Sequence, residues 1–156
     1  GERVHSSSEL SMLIQQSTEH GELDKSEEQI IKSVFTFSET VAREIMTPRP
    51  DIIAIPGEST FDQAVKIVYD SGLSRFPVLG EGGIDDIVGV VLARDLLGHI
   101  ARADGDTPFS LASIMREAYF VPGTKSIDDL LNELKRRKVH LAIVLDEHGG
   151  VDGVVT

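Results

Sequence analysis

The fold of this chain is decided by a stretch of sequence that occurs twice. It reads Pro56-Gly57-Glu58-Ser59-Thr60-Phe61-Asp62 and returns 66 residues later as Pro122-Gly123-Thr124-Lys125-Ser126-Ile127-Asp128. Each copy continues with apolar residues at helical spacing, then two short apolar stretches on either side of a Gly-containing turn. A duplicated unit that is too small to bury a core alone packs against its own copy. Such packing leaves clefts between the copies, which are candidate binding sites.

Each copy is predicted to form a strand, a helix, two strands and a second helix. Thr60 and Gln63 have the spacing of a capping box, and Gly72 is suited to end the helix that they begin. The predicted strands are 51–55, 76–79 and 87–92 in the first copy and 119–121, 142–145 and 151–155 in the second; the predicted helices are 60–72, 95–103 and 127–138. The fold class is therefore α/β (α+β), with two βαββα repeats related by pseudo-twofold symmetry.

The chain is predicted to divide into three parts. Residues 1–40 form an acidic helical leader, in which Asp24 caps a helix with an apolar face. Residues 41–104 are the first repeat, and residues 105–156 are the second, which stops before the helix that ends the first copy. We therefore expect the chain to be a fragment of a longer protein.

Composition argues against several functional classes. The 156 residues include no cysteine, which excludes a disulfide scaffold and a thiol nucleophile. The net charge is −11 and no basic stripe is present, so binding to nucleic acid is not expected, because such binding depends on neutralising phosphates with Lys and Arg. No apolar run approaches the roughly 20 residues that cross a bilayer, so this part of the protein is expected to be soluble.

No sequence pattern points to catalysis or to a metal centre. His99, His140 and His148 lie far apart and lack the spacing of metal ligands. We therefore predict no enzymatic activity, no required cofactor and no metal site made by the protein alone. The one basic cluster, residues 135–138, is predicted to be the exposed C-terminus of a helix, where cations suit the helix dipole.

Three further motifs narrow the interpretation to a family. They are Met46-Thr47-Pro48-Arg49, Ser71-Gly72-Leu73-Ser74-Arg75-Phe76-Pro77-Val78 and His140-Leu141-Ala142-Ile143-Val144. With the duplicated unit, they make residues 9–156 resemble the tandem cystathionine-β-synthase (CBS) domains of the CorC/HlyC-type and CNNM-like membrane proteins. That family is associated with magnesium or cobalt efflux, and its CBS pair with adenine nucleotides.

This resemblance implies a regulatory module on the cytosolic face of the cell membrane. The ligand that it implies is AMP or ATP, with or without Mg²⁺. The partners that it implies are the transmembrane domain of the same parent chain and a second CBS pair in a homodimer.

The resemblance also implies two nucleotide clefts, each built from the last strand of one copy and the strand entry of the other. In the family, a hydroxyl residue followed three positions later by an Asp holds the ribose. The first copy has Leu92 in the hydroxyl position and keeps Asp95, whereas the second copy has Thr156 as its last residue. The cleft with Thr156 is predicted to include Thr47, Leu73, Ser74, Arg75, Phe76 and Pro77. The cleft with Asp95 is predicted to include Met115, Val139, His140, Leu141 and Ala142.

The Thr156 cleft is the preferred nucleotide site. Arg75 can bind phosphate through its fork of donors, whereas the matching residue of the other cleft is Leu141. Structural alternatives stay open at this point: Arg75 can form a surface ion pair, Asp95 can cap its helix, and Leu73 and Phe76 can pack in the core.

Two other functions also stay open. One is a structural dimerisation module without a ligand, which the replacement of a hydroxyl by Leu92 favours. The other is a regulatory CBS insert of a soluble enzyme, since CBS pairs also occur beside catalytic domains. The acidic helical leader argues against the insert.

Overall fold

Two small sheets, one for each repeat, carry the fold. The computed structural model describes residues 7–21, 24–102 and 108–156. The elements, in chain order, are α1 (Ser7–Glu19), α2 (Lys25–Glu39), α3 (Ala42–Ile45), β1 (Thr47–Pro48), β2 (Ile55–Pro56), α4 (Phe61–Ser71), β3 (Arg75–Gly80), β4 (Gly83–Leu92), α5 (Ala93–Arg102), β5 (Phe120–Pro122), α6 (Ile127–Arg137), β6 (Ala142–Leu145) and β7 (Val151–Val155). Short 3₁₀ helices lie at Arg49–Asp51 and Leu111–Ser113.

The sheets have corresponding topologies. In the first, the order is β2-β3-β4, with β2 and β3 parallel and β3 and β4 antiparallel. In the second, the order is β1-β7-β6-β5, with β5 and β6 parallel and β6 and β7 antiparallel. The repeat and its α+β fold, predicted from the duplicated stretch, are thereby confirmed.

The two repeats exchange their leading segments. Strand β1, which precedes the first repeat, pairs antiparallel with β7 of the second repeat, so that Thr47 lies opposite Val154. In the same way, Arg116 precedes β5 but pairs with Val90 of β4, with N···O distances of 2.9 and 2.8 Å in the two directions. This reciprocal exchange produces the predicted pseudo-twofold relation.

The helix boundaries follow from local chemistry. The amide of Gln63 donates to the Thr60 hydroxyl and its side chain returns a bond to the Thr60 amide, so the predicted capping box is confirmed. Gly72 ends α4 with a φ of 68°, and Lys138 takes the same left-handed conformation after α6, with a φ of 56°.

One predicted strand is wrong. Residues 51–55 were expected to be extended, but Arg49–Asp51 form a 3₁₀ turn and the strand starts only at Ile55. Pro50 explains the difference, because proline has no amide to donate to a ladder and its fixed φ suits the first turn of a helix.

Three apolar clusters hold the molecule together. One surrounds Phe76 and Leu96 of the first repeat and also contains Leu111, and one surrounds Leu130 and Val144 of the second repeat and also contains Ala42. The third joins β4 to the second repeat, and its buried members are Ile87, Val90, Leu141, Ile143, Val151 and Val154. Each sheet therefore buries one face within its repeat and the other against its partner, which is how two small units share one core.

The helical leader is connected to the rest of the fold by main-chain hydrogen bonds to the second repeat. Helix α2 begins at Asp24, whose carboxylate accepts a bond of 2.8 Å from the Glu27 amide, and it has no buried residue. Just beyond it, the Ala42 amide donates to the Lys125 carbonyl and the Ile127 amide to the Thr40 carbonyl, at 2.8 and 3.0 Å.

Among the described residues, no helix is both long enough and apolar enough to span a bilayer.

Candidate functional site

A cavity of about 340 Å³ opens where the two repeats meet. Four segments form its wall: the start of β3, the end of β4 with the start of α5, the segment that pairs with β4, and the loop after α6. The lining residues are Ser74, Arg75, Val90, Leu92, Ala93, Arg94, Arg116, Glu117, Lys138, Val139, His140 and Leu141. Both repeats therefore contribute to one site.

The cavity concentrates positive charge in an acidic chain. Four cationic side chains line it, namely Arg75, Arg94, Arg116 and Lys138, and Glu117 is the one carboxylate among the lining residues. The chain as a whole carries a net charge of −11. A local excess of cations against an acidic background attracts an anionic ligand.

Backbone pairing positions these cations. Arg75 lies opposite Leu92 in the β3–β4 ladder, so its side chain starts beside the end of β4. Arg116 is held by its two main-chain bonds to Val90. Lys138 follows the last turn of α6, and its amide donates to the Leu134 and Lys135 carbonyls.

The carboxylate of Asp95 forms an ion pair with an arginine. Its carboxylate accepts bonds from Arg116 Nε at 3.0 Å and Nη2 at 3.3 Å, which is a two-point ion pair between the repeats. Asp95 is the third residue of α5, so it lies inside the first turn and is not the residue before the helix. The carboxylate that the family pattern assigns to ribose thus already has a strong partner in this structure.

The structure groups the predicted residues differently from the sequence prediction. Ser74 and Arg75, assigned to the Thr156 cleft, line the same cavity as Val139, His140 and Leu141, assigned to the Asp95 cleft. This follows from the pairing of Arg75 with Leu92 of its own repeat. The remaining pair, Thr47 and Thr156, lies elsewhere: Thr47 is on β1 beside β7, and Thr156 directly follows β7 and is exposed.

Several predicted residues present no side chain to a ligand. Phe76, Pro77 and Ala142 are fully buried, so only their main chains can contact a bound molecule. The side chain of Leu73, by contrast, is about half exposed, at 49%, and can contact a ligand. Met115 packs over Gly89, where an added β-carbon would lie 2.5 Å from the Met115 sulfur.

Sequence reasoning missed three of the four cations. Arg94 directly precedes Asp95 in the ribose motif. Lys138 lies at the exposed end of a helix, as predicted, and also lines the cavity, which was not predicted. Arg116 matches Thr47, because each lies opposite the equivalent valine of the other repeat. The repeat distance of 66 residues places Lys138 at the position of Gly72, whereas Thr47 and Arg116 lie 69 residues apart and are matched only by the strand pairing.

A second inter-repeat contact lies away from the cavity. Arg49 binds both carboxylate oxygens of Asp85 and also donates to the Val151 carbonyl at 3.0 Å. The Val151 amide donates to Asp85 at 3.0 Å. The bond from Arg49, and after it the bond from the Val151 amide, lowers the pKa of Asp85 to about 2. The bond to Asp85 raises the pKa of Arg49.

The described part of the chain contains no group of three or more His, Asp or Glu side chains placed to hold a metal ion.

Comparison with known proteins defines the class. The model of the CBS domain matches residues 42–102 and 111–156, so the fold is a tandem pair of CBS domains. The CBS domain of a bacterial CNNM/CorC family Mg²⁺ transporter is 41% identical, and the match covers 98% of this chain and 92% of that one with a TM-score of 0.81. Such a domain in complex with ATP is 44% identical over 84% of this chain and 91% of that one, with a TM-score of 0.76.

The chain belongs to the CorC/CNNM family and comprises its tandem CBS pair. The magnesium and cobalt efflux protein CorC of Escherichia coli (strain K12) is 36% identical over 148 residues, which is 95% of this chain and 50% of that protein. This chain spans 34% to 50% of the length of the curated relatives it matches.

Proposed function

We propose that this chain is a regulatory, non-enzymatic module that binds an adenine nucleotide, AMP or ATP with or without Mg²⁺, between its two CBS repeats. A CBS domain that is 44% identical to it has been solved with ATP, which supports this class of ligand. The observation that carries the proposal is Arg75. This guanidinium lines the inter-repeat cavity and has no ion pair within the described part of the chain, so its five donors are available to a phosphate.

The phosphates of the nucleotide are proposed to lie in the inter-repeat cavity, beside Ser74 and Arg75. Leu73, which directly precedes Ser74 and is half exposed, is proposed to offer an apolar surface to the base. Arg116, which also lines this cavity, already binds the carboxylate of Asp95, so Asp95 is less suitable for ribose. Thr47 and Thr156, which the sequence assigns to the same cleft as Arg75, are exposed but do not line this cavity.

In the intact protein, the module is proposed to act on an attached transmembrane domain from the cytosolic side. The CorC relative, a magnesium and cobalt efflux protein, suggests that the regulated process is efflux of these ions. A nucleotide can bias such a domain only if it binds two arrangements of the CBS pair with unequal affinity.

The module is further proposed to form a homodimer through helices α4 and α5. Their outer faces carry exposed apolar side chains, namely Val65, Tyr69, Leu97 and Ile100, of which Tyr69 is 85% and Leu97 is 65% exposed. Helices α4 and α5 pack against each other, so these side chains belong to neighbouring elements of one repeat. An apolar face of this kind is typical of a protein–protein contact.

Calorimetric titration of AMP, ADP and ATP, with and without Mg²⁺, tests the nucleotide proposal. Arg75→Ala should weaken binding by about 1–3 kcal/mol, because it removes charge-assisted hydrogen bonds to phosphate. Arg136→Ala is the matched control, since Arg136 is a surface arginine whose side chain is 71% exposed. Unchanged affinity in Arg75→Ala would remove Arg75 from the site. No heat with any nucleotide would leave a structural dimerisation module as the function.

A further inference from the structure

The last turn of α6 carries a positive charge that the shared fold does not require. It consists of Lys135, Arg136 and Arg137, here called the basic tip. A helix dipole favours cations at this end, but α1, α2 and α4 have no basic residue in their last turns. The repeat distance of 66 residues places residues 69–71 of α4, which are Tyr, Asp and Ser, at the equivalent positions. The charge is therefore specific to α6 and has no counterpart in the first repeat.

The cations of the basic tip are exposed and only weakly neutralised. All three residues are exposed to solvent. The described part of the chain pairs one carboxylate with them, that of Glu133, which lies 3.7 Å from Arg136 and is shared with Lys125 at 2.9 Å. Lys135 and Arg137 have no ion pair in the same part of the chain. Their charge is thus available to an anionic partner.

The surroundings of the basic tip combine charge with aromatic and apolar groups. The guanidinium carbon of Arg137 lies 4.5 Å from the centre of the Tyr119 ring, a cation–π contact that positions the side chain and leaves its in-plane donors able to bind another group. Leu131, one turn before Lys135 on the same side of α6, is 43% exposed. Cations beside a tyrosine and an exposed leucine are typical of a surface that meets lipid headgroups.

We propose that the basic tip contacts the anionic headgroups of a lipid bilayer and thereby sets which side of the module faces the membrane. This inference rests on the proposed attachment to a transmembrane domain, which keeps a bilayer within reach. An anionic surface repels the chain as a whole, since its net charge is −11, and attracts only a face with a local excess of cations. Each Lys or Arg close to such a surface adds to the attraction.

Co-sedimentation with lipid vesicles tests the proposal. At low salt, the chain should bind vesicles that contain phosphatidylglycerol but not vesicles of phosphatidylcholine alone, and added salt should weaken the binding because it screens exposed charges. The double variant Lys135→Gln, Arg136→Gln should bind about tenfold more weakly, since it loses two cations and keeps the Arg137 contact with Tyr119.

The matched control is the double variant Lys25→Gln, Lys66→Gln. It has the same net charge, but its two substitutions are at exposed positions on α2 and α4, so it should bind as the unmodified chain does. Equal binding by the two double variants, or no binding of the unmodified chain to phosphatidylglycerol, would overturn the proposal.

Two further measurements separate this proposal from its rivals. Sedimentation equilibrium without lipid should give Lys135→Gln, Arg136→Gln the same oligomeric state as the unmodified chain; a change would assign the basic tip to a second copy and overturn the lipid contact. Titration of ATP should also be unaffected, because neither residue lines the inter-repeat cavity. Loss of vesicle binding with intact ATP binding concerns the basic tip alone, whereas absence of ATP binding with intact vesicle binding would contradict only the nucleotide proposal.

Discussion

Two glycines explain how the leading segments lie so close to the opposite sheets. A β-carbon on Gly153 would lie 2.6 Å from the sulfur of Met46 and would also collide with the Thr47 carbonyl. Gly89 has the same relation to Met115 and the Arg116 carbonyl, which would lie 2.8 Å from an added β-carbon. The pseudo-twofold exchange of strands thus depends on one residue in each copy, where backbone approaches backbone.

Gly153→Ala should therefore destabilise the protein by about 1–3 kcal/mol, because a main-chain carbonyl cannot move aside as a side chain can. Urea denaturation followed by circular dichroism measures this change in the free energy of unfolding. Gly123→Ala is the control: its β-carbon would meet the flexible Arg43 side chain, at 2.8 Å, and should cost less. Equal stability of the two variants would show that the strand contact is not tight.

At the scale of elements, the repeats are joined by two groups of polar contacts, one through Arg116 and Asp95 and one through Arg49, Asp85 and Val151. The Arg116–Asp95 pair connects the segment before β5 to α5, and the Arg49–Asp85 pair connects the 3₁₀ turn after β1 to β4. In the second pair, Arg49 also donates a hydrogen bond to the Val151 carbonyl, and Asp85 accepts one from the Val151 amide. Both main-chain groups of Val151, the first residue of β7, are therefore hydrogen-bonded to this pair. These contacts fix how the two sheets are aligned.

This contact predicts a dependence of stability on acid. The pKa of Asp85 is about 2 in the folded protein, below the value of about 3.9 for an unfolded Asp. A lowered folded pKa means that its contribution is complete above the unfolded value and is lost as the pH falls towards the folded one. The melting temperature should thus fall between about pH 4 and pH 2.

Asp85→Asn tests this prediction. The variant should melt at a lower temperature than the unmodified chain at pH 7, and the difference should shrink as the pH approaches the folded pKa of Asp85, about 2. Glu81→Gln, at the tip of the same hairpin, removes the same charge without an inter-repeat bond and is the control. A constant difference between Asp85→Asn and the unmodified chain over this pH range would contradict the assignment.

At the scale of the whole molecule, the apolar face of α4 and α5 predicts self-association. Leu97→Glu places a charge where the proposed dimer buries an apolar side chain, so sedimentation equilibrium should show dimers for the unmodified chain and monomers for the variant. Leu13→Glu on α1 changes a side chain that is 48% exposed but lies outside this face, and should leave the dimer intact. A monomeric unmodified chain, or a dimeric Leu97→Glu, would refute the proposed interface.

The ends of helices and strands could be predicted well, because residues close together in the chain specify them. Thr60 with Gln63 begins a helix, Gly72 ends it, and strands β6 and β7 were predicted with the bounds they have. The strand at 51–55 failed because Pro50 alters the local pairing. The two-cleft assignment remains a prediction, since it depends on which repeat each side chain faces.

The sequence by itself determined the duplicated unit, its class of fold and the family, because caps, turns and apolar periodicity act between residues close in the chain. Only the tertiary structure decided which charges share a cavity. The register of β3 and β4 places Arg75 beside Leu92, and the pairing of Arg116 with Val90 places Arg116 beside Asp95. Lys138 lies at the end of α6, in the other repeat. Contacts between distant segments depend on how two sheets pack, which no local pattern specifies.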